Sequence, residues 1–188
     1  YPGGNFKSTW FALYNGRKDF GESKTMTDLM GVLGDGRQKA FGGATQDQTA
    51  GNALESSSVG VPFGLVRAKV EAFTSANNNW ARILRGDFRK ENGSVVVLSA
   101  GQIALARAEA ANYAWTSESL STTYSLGISL SFEQWGLKVA TDYLGKASVA
   151  LDAPGAAGNL KKIATQRYIA HYPDGMQAWN IWRKTGFP

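Results

Sequence analysis

The chain has 188 residues, 43% of them hydrophobic and 19% charged, enough to bury one good core or two small ones. It has no cysteine, which excludes disulfides, thiolate metal sites and thiol catalysis. The net charge of +5 is evenly spread, with 12 Lys/Arg against 9 Asp/Glu in residues 1–93 and 8 against 6 in residues 94–188; no basic run points to nucleic acid, and no stretch reaches the ~20 apolar residues of a membrane helix.

Residues 1–22 are aromatic and glycine-punctuated, with Phe6, Trp10, Phe11, Tyr14 and Phe20 among Gly3, Gly4, Gly16 and Gly21. They read as extended or irregular backbone. A first helix follows. Thr25 with Asp28 resembles a capping box, Met26, Leu29, Met30 and Leu33 recur at helical spacing, and Gly34 supplies a left-handed stop. Residues 42–64 are rich in Gly, Ser, Thr, Gln and Asn, which predicts a long loop of the kind that carries function or moves. Residues 65–73 alternate partly and predict a short strand. A polar stretch TSANNNW (74–80) and a second β-like run, Val95–Leu98, complete the first half.

The second half reads as helices. Ser99 with Gln102 forms a capping box ahead of Ile103, Ala106, Ala110 and Tyr113. Residues 124–132 carry a conflict: Tyr124, Leu126, Ile128, Leu130 and Phe132 alternate at period two, whereas Tyr124, Ile128, Ser131 and Trp135 share one helical face. Asn159 is placed to cap a helix bearing Leu160, Ile163 and Ala164, which Pro173 ends by forcing Tyr172 out of the helical region. Asp174 restarts a short helix with Gln177 at the reciprocal position, and Gly186 and Pro188 stop it.

These residues resemble a known family. Gln166–Ala170, Asp174–Gly175, Ala178–Trp179 and Trp182–Pro188 are similar to the C-terminal signature of SusD/RagB-type nutrient-binding lipoproteins. Residues 23–37 resemble that family's helix ending in an Asp-Pro-Arg turn, with Gly36 in place of the proline. Residues 95–111 resemble its strand followed by an Ala-Glu-Ala helix, and residues 124–136 the helix that packs on it. The resemblance implies a mainly α fold, with tetratricopeptide-like helix pairs, long irregular loops and a few short strands. It implies that residues 121–136 are helical and packed on 100–115, with Gly127 at the close approach. It divides the chain into a loop-rich region, 1–98, and a helical region, 99–188, both parts of one larger SusD-like domain whose N-terminal repeats lie upstream. It also implies a nutrient ligand, commonly a glycan, and a SusC-like TonB-dependent transporter as partner. The expected place is the cell surface of the outer membrane, reached through an upstream lipid anchor.

The candidate binding residues rest on side-chain chemistry. Sugars stack their C–H faces on aromatic rings while amides bridge their hydroxyls. Asn77, Asn78, Asn79 and Trp80 offer both in one loop, against the alternative of a turn whose Trp covers a helix; Trp10 is a second candidate. Trp179 and Trp182 lie one helical turn apart, which suits a core-facing stripe. With Arg183 tied to Glu109, a carboxylate among alanines that needs a partner, they read as a structural clasp. His171 is the single histidine and reads as structural; alone it makes neither a metal site nor a triad with any GxSxG serine. No cofactor, metal or catalytic residue is expected. A helical-repeat interaction scaffold is the alternative function, and a carbohydrate-active enzyme stands behind it for want of a recognisable carboxylate pair.

Overall fold

A computed structural model describes residues 7–14, 19–46 and 52–188. The chain is mainly helical and falls into two compact units, Tyr1–Val96 and Val97–Pro188.

The first unit holds α1 (Thr9–Tyr14), α2 (Lys24–Leu33), α3 (Gln38–Phe41), α4 (Arg67–Ala76) and a small antiparallel ribbon. Its strands are β1 (Gly42–Gly43) and β2 (Arg82–Ile83), with Gly42 opposite Ile83. α2 is amphipathic and buries Met26, Met30 and Leu33. Its stop is as expected, Gly34 at φ 60° in the left-handed region. Its start is not. Ser23, two residues before Thr25, is the cap, and its hydroxyl accepts from the Met26 amide at 3.2 Å. The following turn buries an ion pair in which Arg37 Nη2 lies 2.6 Å from Asp35 Oδ2.

Three expectations for this unit are corrected. The aromatic start contains α1, because Thr9–Tyr14 has no glycine to break it; Gly3, Gly4, Phe6 and Gly16 lie outside the described residues. Residues 42–64 are not an uninterrupted loop: they hold β1, a turn of 3-10 helix at Asn52–Leu54, and bridges from Ser56 to Gly43 and from Val61 to Ser23. The strand expected at 65–73 is α4, a helix with no buried residue. Arg, Ala, Lys and Glu are good helix formers, and Arg67 pairs with Glu71 one turn on at 2.6 Å. Those propensities outweigh an alternation that was only partial. Val95–Leu98 belongs to no strand and is exposed.

The second unit is a set of four helices: α5 (Ala100–Asn112), α6 (Leu120–Glu133), α7 (Gly158–Ala170) and α8 (Gly175–Thr185). α5 packs against α6 and α7, and α7 against α8. The capping box forms in full, with Gln102 N–H donating to Ser99 Oγ and Ser99 N–H to Gln102 Oε1. The conflict at 124–132 resolves as helix, packed on α5. A Cβ on Gly127 would lie 2.6 Å from Leu105 Cγ and 2.9 Å from its backbone nitrogen, and one on Gly101 would lie 2.8 Å from the Ser131 nitrogen. The two helices therefore meet almost backbone to backbone, and the burial of Leu105, Ile128 and Phe132 favours helix over the period-two alternative. Asn159 does not cap α7, which begins a residue earlier at Gly158. Buried instead, its side chain accepts from Asp152 N–H at 2.7 Å and donates to Ala153 O at 3.1 Å, pinning the preceding loop. Asp174 caps α8 by accepting from Met176 and Gln177 amides, both at 3.1 Å.

Candidate functional site

The stretch from Asn77 to Trp80 forms the exit of α4. Asn77 donates from its side chain to Phe73 O at 2.9 Å, so its amide serves the helix end. Asn78 and Asn79 are exposed in the turn. Trp80 is only 6% exposed, with the Arg82 guanidinium 4.0 Å above its ring. Arg82 also donates to Asn78 O and Trp80 O at 3.0 and 2.7 Å. The loop reading is therefore corrected at its aromatic member: a large ring gains more from burial than from water, and Trp80 has no open face to offer. Trp10 is half-buried on α1.

The tail is corrected in the opposite sense. Trp179 and Trp182 are 49% and 45% exposed, stacked on each other with centroids 4.7 Å apart and planes 19° from parallel. The inner face of α8 is formed by Ala178 and Ile181. Each residue along a helix turns by about 100°, so neighbours of the buried pair point outward. Arg183 is exposed, and Glu109 is gripped by other cations. Arg167 of α7 and Lys184 of α8 both donate to its buried carboxylate. Burial lowers the Arg167 pKa from its usual value, which is the cost the carboxylate offsets. The tail is tied to α5 through Lys184, one residue beyond the expected arginine.

His171 follows α7 as its cap, half-buried, and its pKa is lowered by burial and by Arg167, with Asp174 opposing. In the first unit, burial raises the Glu22 pKa to about 8, against one hydrogen bond in which Gln38 Nε2 donates to Oε2 at 2.7 Å. Burial also raises Tyr14 to about 12. Its hydroxyl donates to Phe20 O and accepts from Ile83 N–H, a structural assignment rather than a reactive one. Among the described residues no three His, Asp or Glu side chains converge as metal ligands.

Tyr113 and Trp115, just past the end of α5, form a second stacked pair, with centroids 4.8 Å apart and planes 21° from parallel. They are 40% and 69% exposed. The signal that could have found them is two aromatics one residue apart at a helix end. It is easily missed because the residue between them, Ala114, adopts φ 54°, where glycine is the usual sign.

Two solvent-facing aromatic pairs on a four-helix unit, with a tail sealed by Glu109, are thus the geometry to be matched. The SusD-like family, described as starch-binding and associating with the outer membrane, matches residues 2–188. The chain belongs to the SusD-like family. Solved SusD-like structures share its fold. A SusD homolog from Bacteroides uniformis superposes with a TM-score of 0.67 at 20% identity, covering 98% of this chain and 42% of that one. A chitin-binding protein gives 0.63 at 23%, covering 88% and 37%, and a Bacteroidetes SusD-like protein gives 0.61 at 18%, covering 88% and 42%. No curated protein matches the chain. The SusD-like chain corresponds to the C-terminal part of the fold and spans between 37% and 42% of the length of these structures.

Proposed function

We propose that the protein is a non-catalytic glycan-binding component of the cell surface that acts beside a SusC-like TonB-dependent transporter. The observation that carries this reading is the presentation of stacked aromatic rings to solvent in the helical unit, at Tyr113–Trp115 and Trp179–Trp182. Exposed aromatic faces favour the C–H faces of sugars, which need no charge and no metal. Family membership supports the reading, since the family is described as starch-binding and associating with the outer membrane, and a similar structure is of a chitin-binding protein. A lipid anchor is the attachment this reading proposes, in keeping with a family described as associating with the outer membrane.

Native affinity electrophoresis of the full-length protein through gels containing starch, soluble chitin or other glycans tests this. Retardation by at least one glycan, with no reducing ends released, is expected. Migration unchanged in every glycan, together with tight binding to a protein or peptide, would favour an interaction scaffold instead; release of reducing ends would make it an enzyme. The transporter partnership is tested separately by co-purification from outer membranes.

A further inference from the structure

We propose that Tyr113 and Trp115 form a platform for one neutral sugar unit: the outer face of the Trp115 indole takes a single pyranose ring, and Tyr113 backs it. The proposal rests on the glycan-binding reading and names where and how much of a glycan that reading engages.

The stack itself defines the size of the contact. Trp115 has one face covered by Tyr113 at 4.8 Å, yet remains 69% exposed, so its other face is open to solvent. Two rings lying side by side would offer a long surface for several sugar units. Two rings lying one on the other offer the area of one ring, which matches one pyranose.

The backbone holds the pair in place at a cost. Ala114 N–H donates to Ala111 O at 3.0 Å and Trp115 N–H to Ala110 O at 2.9 Å, the paired bonds that close a helix with a left-handed residue. That residue is alanine rather than glycine, at φ 54°, a conformation in which a Cβ crowds the following carbonyl. A side chain in the Trp115 position frequently contacts its own helix; here the ring stacks on Tyr113. Strain of this kind persists where surrounding contacts over-determine it, and it accumulates at binding sites. The far side of the loop is braced by the Arg107–Glu118 ion pair and by Ser119, which caps α6.

The surrounding chemistry selects a neutral ligand. Arg107 is engaged by Glu118 and Glu109 by Arg167 and Lys184, so each charged side chain of the segment has an opposite partner. Thr116 and Ser117 follow the indole and are exposed, and their hydroxyls can both donate and accept. Each ring of the α8 pair is less open than Trp115, though more open than Tyr113, and the pair sits on regular helix.

Titration of the full-length protein with the maltooligosaccharide and N-acetylchitooligosaccharide series, followed by calorimetry and tryptophan fluorescence, tests the proposal. In whichever series binds, affinity should change by less than about threefold beyond the disaccharide. Trp115→Ala should lower affinity by about tenfold or more with an unchanged melting temperature. Ala114→Gly should raise the melting temperature, because glycine adopts this φ without strain, and should leave the ring in place and the affinity unchanged. The Trp179→Ala, Trp182→Ala double variant is the comparison, and its loss of affinity should be smaller than that of Trp115→Ala. Affinity that climbs steadily with chain length, a Trp115→Ala variant that binds normally, or a loss confined to the α8 double variant would each overturn the platform and leave glycan binding intact. Failure of the wild type to bind any glycan overturns both readings.

Discussion

Burial holds the Glu22 carboxyl protonated up to about pH 8, and one partnered oxygen does not compensate: Oε1 has no hydrogen-bond partner. An unfolded chain releases that proton near the ordinary carboxyl value of 4.5. Below 4.5 both states carry it, and the contribution of Glu22 to stability is fully present. Between 4.5 and 8 the folded state alone keeps it, so stability falls as pH rises, and the loss is complete above 8. Glu22→Gln removes that slope. Unfolding by urea at a series of pH values should show the wild type losing on the order of 3 kcal/mol more than the variant between pH 5 and 8.5; parallel curves would mean that Glu22 ionises inside the fold at no cost. A second comparison at this scale concerns the tryptophans. Trp80→Ala empties a buried site and should cost about 3–5 kcal/mol, whereas Trp179→Ala removes a half-exposed ring and should cost about 1 kcal/mol or less. Thermal melts of the two variants decide it, and equal losses would place Trp179 in a core that the chain builds around it.

Among the elements, α5 and α6 show how a glycine can determine a contact that hydrophobic pattern cannot. Alanine is the better helix former by about 1 kcal/mol, so Gly127→Ala would stabilise an isolated α6. In the protein the new methyl meets Leu105, side chain and backbone, at under 3 Å, and the backbone half of that contact cannot swing away. A net loss of about 1–3 kcal/mol is expected, read as a lower melting temperature; a higher one would show that α6 can slide off α5. The strand-like alternation of Tyr124 to Phe132 had a competitor from the outset, and it yields because the helix offers a close partner while no strand edge in the described unit does. α4 is the reverse case. Its exposed surface leaves local propensity as the deciding term, and Arg, Ala, Lys and Glu decide for helix.

For the molecule as a whole, charge is spread evenly, and among the described residues the stacked aromatic pairs that face solvent lie in the helical unit. Binding carried by stacking should therefore hold its affinity within about twofold from low salt to about 0.5 M, where exposed charges are screened. A steep fall over that range, measured by the same calorimetry, would move the contact from rings to ions. Local signals in the sequence were sufficient for the helix ends at Ser99, Asp174, Gly34 and Gly186, because a cap involves residues only a few positions apart. The order of the helices, the helical character of 121–136 and the membership of the family were legible from motifs. Which face of each helix turns inward was not. The tail shows the reason. Trp179, Trp182 and Arg183 were the expected clasp, yet a rotation of one residue along α8 puts Ala178 and Ile181 inside, the indoles outside, and Lys184 rather than Arg183 on Glu109. Trp80 went the other way, drawn under Arg82 by a strand that begins two residues later. Burial and ion pairing depend on segments that meet in space from far apart along the chain, so the tertiary structure alone decided which aromatic rings became core and which were left facing solvent.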